Sequence, residues 1–303
     1  MLLLFGITLF LSSALLFWVQ LMVGKMVLPA LGGTPAAWNT CMVFFQAGLL
    51  LGYAYAHVLP ARIGVRRHAP IHLVLLLLPL AILPIALQNE SPPVGADAVF
   101  WLLGTLTLML GLPFVLVASS APLLQRWFAA SADTRGRDPY FLYAASNLGS
   151  LLALISYPLL IEPHLTLSEQ SVAWTAGYAG LGVLMAVAVV GVWQTSSRPV
   201  DVPAIATPAP TWSVRLRWLL LALVPSSLML SVTTYLTTDL AAIPLLWVLP
   251  LTIYLLTFVL AFGRRQWLDP AAMPGSCLRQ SLFSCSCSSW KRWIRLSWCC
   301  CCT

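Results

Sequence analysis

The segment LLLFGITLFLSSALLFWVQLMV, residues 2–23, decides the class of this protein. It contains no charged side chain, and about 20 apolar residues in a helix are enough to cross the hydrocarbon core of a bilayer. No basic residue precedes it, no small-residue cleavage site follows it, and its apolar run is longer than the core of a signal peptide. We therefore expect the segment to be retained as the first membrane span.

The composition extends this expectation to the rest of the chain. Charged residues make up 8% and hydrophobic residues 60% of the sequence, and the mean hydropathy is +0.88, whereas about 25% of residues are charged in a typical soluble domain. The lipid bilayer is therefore the expected partner. The net charge of +7 does not indicate nucleic acid, because the basic residues fall in short loops between apolar runs, where they set orientation.

Eight apolar runs have the length needed to cross a membrane. They must be helices, because a lipid-exposed strand leaves its backbone groups unpaired and the alternating pattern of a barrel is missing. The fold class is thus an all-α integral membrane protein with a bundle of about eight transmembrane helices. The runs are approximately 2–23, 37–58, 70–88, 99–121, 140–161, 172–193, 217–236 and 243–262.

The basic residues predict the orientation of these helices. Eleven arginines fall on one side, in the second, fourth and sixth loops and after span eight, and only Lys25 falls on the other. Because cytoplasmic loops are rich in Lys and Arg, the N-terminus and the even-numbered loops are expected in the cytoplasm of a bacterial inner-membrane protein. The arginines are Arg62, Arg66, Arg67, Arg126, Arg135, Arg137, Arg198, Arg215, Arg217, Arg264 and Arg265.

The longest segment between spans divides the chain into two helical parts. Residues 194–216 are proline-rich and follow six predicted helices. We therefore predict a 6 + 2 organisation. Its parts are a six-helix membrane bundle (1–193), a cytoplasmic linker (194–216), two helices that begin a second half (217–268), and a tail (269–303).

Short motifs at equivalent places in the two parts resemble the major facilitator superfamily, in which two six-helix halves are joined by a cytoplasmic linker. The loop ARIGVRR (61–67) follows span two, and GRR (263–265) follows span eight. PAAW (35–38) and PLLW (244–247) open the same two spans and form a faint internal repeat. The family's usual acidic residue before the first arginine is missing, so the resemblance does not carry a gating role to this loop.

Longer strings resemble the membrane half of bacterial proteins in which a facilitator-like region precedes a spermidine-synthase-like domain. This resemblance covers about residues 1–268 and implies a fuller protein with more helices and a cytoplasmic aminopropyltransferase-type domain, which this chain lacks. The strings are LPALGGTPAAWNTCMVFFQAGLLLGYAYAH (28–57), SSAPLLQRWF (119–128), DPYFLYAASNLGSLLALISYP (138–158) and TTYLTTDLAAIPLLWVLPLTIYLLTF (233–258).

The residues themselves offer no catalytic set, cofactor site or metal site. A nucleoside site needs a glycine-rich turn between a strand and a helix, but Gly177, Gly180 and Gly182 lie inside an apolar run, where small residues favour helix packing. The four histidines, His57, His68, His72 and His164, are expected in loops or at helix ends. We therefore expect no aminopropyltransferase activity from this chain.

A few polar residues near span ends are the candidates for binding a solute. No acidic residue falls deep inside a span, where a proton-coupled carrier commonly has one. For amides and hydroxyls the alternative role is hydrogen bonding between helices. For Lys25 and Asp239 the alternatives are extension to the lipid headgroups or a pairing that closes the outer face. The candidates are Lys25, Asn39, Gln46, Tyr143, Asn147, Thr233, Thr234 and Asp239.

The tail differs in composition from the rest of the chain. Residues 277–303 hold seven of the eight cysteines. A leucine run written in CTG codons becomes a cysteine run when it is read one base late, so Cys299–Cys302 fit a frameshift or truncation. The alternatives are a metal site or a lipidation site, but Cys285-x-Cys287 and four adjacent cysteines lack the usual zinc-ligand spacing.

Two functions of different class are consistent with these sequence features. The first is a truncated, facilitator-like membrane region that binds or transports a small solute, an amine by resemblance only. The second is a membrane anchor or scaffold for an enzyme domain that this chain lacks.

Overall fold

We describe the chain from a computed structural model in residues 2–31, 34–87, 97–130, 140–195, 211–235 and 250–256. These residues are 94% helical and include no strand. A 3-10 turn, Leu78–Ala81, follows the third helix, and two π-helical turns, Thr107–Gly111 and Tyr157–Ile161, join the fourth helix to the fifth and the sixth to the seventh. The helices are α1 (Leu2–Leu31), α2 (Pro35–Ile63), α3 (Val65–Leu77), α4 (Ala98–Leu106), α5 (Leu112–Ala130), α6 (Tyr140–Ser156), α7 (Glu162–His164), α8 (Leu167–Thr195) and α9 (Trp212–Tyr235).

Six stretches of described helix are long and apolar enough to cross a membrane, which agrees with the prediction of a multi-pass helical protein. They correspond to predicted spans one, two, four, five, six and seven. Most of the predicted eighth span, 243–262, and the whole of the tail lie outside the described residues, so the count of eight stays a prediction. The stretches are Leu2–Leu31, Ala36–Ile63, Ala98–Ala129, Leu142–His164, Leu167–Trp193 and Trp212–Thr233.

Helix α1 lies at the centre of the bundle, in contact with α2, α5, α6 and α8. Its approach to α6 is close, because a Cβ atom on Gly149 would overlap the backbone carbonyl oxygen of Phe10. A hydrogen bond of 2.6 Å between the hydroxyls of Ser13 and Ser146 joins the same two helices. Small residues and interhelical hydrogen bonds are the features that hold membrane helices together.

The third predicted span, 70–88, is broken rather than continuous. Helix α3 has only 13 residues, and residues 82–87 lie beyond the 3-10 turn without helical structure. Pro79 and Pro84 explain the break, because proline supplies no backbone N–H to the helical hydrogen-bond ladder. Apart from His72 and the terminal Gln88 the run is apolar, so composition alone does not reveal the interruption.

Side chains of α8 bind the backbone carbonyls of this broken segment at three levels. The Trp193 indole donates to the carbonyl of Arg66 at 3.0 Å, the Tyr178 hydroxyl to that of Leu76 at 2.8 Å, and the Ser171 hydroxyl to that of Ile85 at 2.6 Å. The carbonyl of Arg66 is the one that residue 70 would bind if it were not proline. Neighbouring side chains that bind freed backbone groups make proline tolerable at membrane depth. Residues 66–85 therefore run antiparallel to α8 along most of its length.

The second part of the chain is described in two pieces. In the most apolar stretch of α9, no residue is buried by the described part of the protein. Residues 250–256 are helical, and Leu251 and Leu255 pack against the core. The predicted 194–216 linker falls largely outside the described residues, so the 6 + 2 division stays a prediction.

Candidate functional site

A tight turn at Gly64 brings two histidines of α3 against the preceding helix. Gly64 adopts φ +79°, in the region that favours glycine, and its N–H donates to the carbonyl of Pro60 at the end of α2. Helix α3 therefore starts immediately after α2 and returns alongside it. His68 and His72, one helical turn apart, face Tyr55 of α2.

These three side chains form what we call the His–Tyr cluster, Tyr55, His68 and His72. The Tyr55 hydroxyl lies 3.1 Å from Nε2 of His68 and 3.2 Å from Nδ1 of His72, so it bridges the two imidazoles. The imidazole rings stack with centroids 5.8 Å apart. Trp127 of α5 packs edge-on against His72 with centroids 6.1 Å apart, and His68, His72 and Trp127 are each fully buried.

The outer ring nitrogens of the cluster, Nδ1 of His68 and Nε2 of His72, are buried without a hydrogen-bond partner in the described structure. The inner nitrogens, Nε2 of His68 and Nδ1 of His72, both contact the Tyr55 hydroxyl. This hydroxyl can donate one hydrogen bond and accept another. With both rings neutral, Tyr55 therefore donates to one histidine and accepts from the other. Two arrangements exist, and each leaves an N–H at one outer nitrogen and a lone pair at the other.

These two arrangements interconvert when one proton passes through the cluster. A proton that binds the lone pair of His68 Nδ1 makes that ring release its Nε2 proton to the Tyr55 oxygen. The Tyr55 hydroxyl proton then moves to Nδ1 of His72, and His72 releases the proton on Nε2. One proton enters and one leaves, so the cluster has the connectivity of a proton relay.

The charges around the cluster are asymmetric. Arg126 of α5 donates from Nη1 to the carbonyl of His57 at 3.2 Å and is close enough to act electrostatically on His68. The structure describes three acidic residues, and they lie at the end of the bundle opposite the cluster. Asp97 accepts a hydrogen bond from the N–H of Val99, Glu162 pairs with Lys25, and Glu169 accepts from the N–H of Thr166. Because a buried charge without a partner is costly, both imidazoles are assigned as neutral at rest.

Lys25 has an ionic partner in the structure. Its ammonium forms an ion pair with Glu162, which begins α7. Both side chains are partly exposed, at 24% and 28%. The pair ties the C-terminal part of α1 to the end of the α6–α7 stretch and closes that end of the bundle.

The other predicted residues do not assemble into one site among the described residues. Asn39 and Gln46 are exposed and lie two turns apart on α2, while Tyr143 and Asn147 are half-buried on α6. Among Lys25, Asn39, Gln46 and Asn147, no hydrogen bond or ion pair in the described part of the chain joins one to another.

The remaining predicted features lie on α8, on α9 or beyond it. The Thr233 hydroxyl donates to the carbonyl of Met229 at 2.8 Å, and the Thr234 side chain and Asp239 lie outside the described residues. The glycines of α8 serve helix packing as predicted, since a Cβ on Gly177 would press on Leu15 and one on Gly182 on Leu77.

The sequence placed His68 and His72 in loops or at helix ends, and His68 does lie in the first turn of α3, but the burial of both rings was not predicted. Their spacing, His-x-x-x-His, puts both rings on one face of a helix, and this was the available signal. It was missed because Arg66 and Arg67 precede the pair, which makes the segment resemble an ordinary basic loop.

No family model, curated protein or solved structure matches this chain. Its function is therefore inferred from the site itself.

Proposed function

We propose that this chain is a facilitator-like protein of the bacterial inner membrane, with a cytoplasmic N-terminus, that couples a proton to the binding or movement of a small solute. The observation that carries the proposal is the buried His–Tyr cluster with its two unpaired outer nitrogens. Ionisable groups inside a membrane bundle are costly and are kept chiefly for function.

The position of the cluster supports a coupling role rather than a solute pocket. It lies between α2, α3 and α5, near the end of the bundle that carries Arg62, Arg66 and Arg67, which we call the basic end. The positive-inside rule places this end in the cytoplasm. Its buried rings leave no space for a solute between them, but they can exchange a proton with one.

The solute class comes from the sequence. The fused facilitator and spermidine-synthase families that the chain resembles point to an amine, and the exposed amides of Asn39 and Gln46 on α2 are the polar groups that would face it. The anchor function remains the alternative, and it predicts that the bundle is indifferent to every solute.

The test is proton movement in proteoliposomes that contain the purified full chain and an internal pH dye. Addition of putrescine or spermidine should change the internal pH of wild-type vesicles. His68→Gln, His72→Gln and Tyr55→Phe should each reduce the initial rate at least tenfold, because each removes a proton-carrying atom from the relay.

The matched control is His57→Gln, since the His57 side chain is exposed on α2 and only its backbone carbonyl contacts Arg126. Its rate should equal that of the wild type. If no amine moves protons in any variant, the carrier function fails and the anchor function gains support. If amines move protons equally in the His68 and His57 variants, the carrier function stands and the relay fails.

A further inference from the structure

A shallow groove lies between α3 and α8 at the basic end. Pro70, Val189, Val190 and Trp193 line it, and its volume is about 420 Å³. Its walls are apolar, and the guanidinium of Arg66 lies over the ring of Trp193 at its mouth.

The arginine at the mouth is held in place. The Trp193 indole donates to the carbonyl of Arg66, and the Arg66 guanidinium carbon lies 5.7 Å from the centre of the same indole ring. Such a cation–π contact leaves the N–H donors at the edge of the guanidinium free to bind an anion. Arg62 and Arg67 are exposed on the same short connection.

Apolar side chains continue the groove away from the arginines. On α8, Val190, Val187 and Val183 are 54%, 50% and 65% exposed and follow one another at helical spacing. On α3, Ile71 and Val74 are 44% and 62% exposed. Together they form an apolar track that starts at the arginines and runs into the membrane region.

We propose that this groove binds an anionic phospholipid. The phosphate would accept hydrogen bonds from Arg66, with Arg67 adding charge, while one acyl chain lies along Val190, Val187 and Val183. A phospholipid combines a negative head and an apolar tail in the order that the surface presents. Basic pockets between transmembrane helices on the cytoplasmic side favour such lipids.

The experiment compares lipid occupancy of the purified full chain by native mass spectrometry after addition of phosphatidylglycerol, phosphatidylcholine or inorganic phosphate. Wild type should retain phosphatidylglycerol in preference to phosphatidylcholine, and phosphate should not compete for the site. Arg66→Gln should lower the phosphatidylglycerol occupancy about fivefold, and Arg66→Lys should keep part of the preference.

Arg62→Gln is the matched control, because it removes the same charge from the same connection outside the groove. An equal loss in Arg62→Gln, equal retention of both lipids, or competition by phosphate alone would each overturn the proposal. Val190→Trp fills the groove without altering a charge, so it tests the acyl track separately. It should lower phosphatidylglycerol occupancy while leaving the melting temperature in lipid-free detergent unchanged, and unchanged occupancy would contradict the proposal.

Discussion

At the scale of single residues, glycines and buried polar atoms decide how closely the helices pack. Gly149 touches the backbone of Phe10, and serine hydroxyls bridge α1 to α5 and α6, since Ser12 donates to the carbonyl of Val117 at 3.3 Å and Ser13 pairs with Ser146. The sequence predicted packing for the glycines of α8 but not this contact. Composition does not show which face of α6 meets α1.

Gly149→Ala should destabilise the protein by about 1–3 kcal/mol, because the added methyl group meets a backbone atom and forces α1 away from α6. The free energy of unfolding in detergent measures the change. Gly104→Ala is the control, since nothing lies within 4 Å of its Cβ position, and it should raise helix stability by up to about 1 kcal/mol. Equal effects of the two substitutions would disprove the close approach.

At the scale of helices, the broken third segment is the main departure from the sequence-based description. The apolar run predicted a continuous span at 70–88, and the prolines that interrupt it were visible but not decisive, because proline also occurs in unbroken membrane helices. The partners that make the break tolerable, Trp193, Tyr178 and Ser171, lie about 85 to 130 residues away in the sequence. Such partners cannot be predicted from one local pattern.

The burial of the His–Tyr cluster also depends on residues that are distant in the sequence. Its two histidines are one turn apart in the sequence, but their burial depends on Trp127 of α5 and on the reversal of the chain at Gly64. Lys25, in contrast, was recognised as a candidate from its charge at a span end, although Glu162 as its partner was not. Charge at a boundary is a local property, whereas pairing is not.

Tyr178→Phe should lower the free energy of unfolding by about 1–3 kcal/mol, because it leaves the buried carbonyl of Leu76 without its donor. Equilibrium unfolding in detergent gives the value. Tyr53→Phe is a matched control, since the Tyr53 side chain is 53% exposed on α2, and it should change little. Similar losses in both variants would argue against the role of α8 in supporting the third segment.

At the scale of the whole molecule, the described helices form a bundle with opposite charges at its two ends. Arginines gather at the basic end, whereas the described acidic residues and Lys25 lie at the other. The predicted separation of the arginine-containing loops from Lys25 agrees with this arrangement of the described residues. The sequence did not reveal the ion pair that joins α1 to the α6–α7 stretch.

Exchanging the charges of this pair tests that closure. Lys25→Glu should lower the melting temperature, because it places two carboxylates together, and the double variant with Glu162→Lys should restore most of the loss. The expected coupling is about 1 kcal/mol, as is usual for partly exposed pairs, and it should weaken in high salt. A double variant no more stable than Lys25→Glu would show that the two side chains do not pair.

Our central prediction is that residues 65–87 cross the membrane beside α8, with His68 and His72 buried inside the bundle. Its most direct test is the accessibility of single cysteines at Arg62 and Ala86, both exposed, in a chain without other cysteines. In intact spheroplasts, a membrane-impermeant maleimide should label Ala86→Cys, and it should label Arg62→Cys only after the membrane is opened. Labelling of both cysteines from the same side would mean that the segment turns back without crossing, and it would contradict the claim.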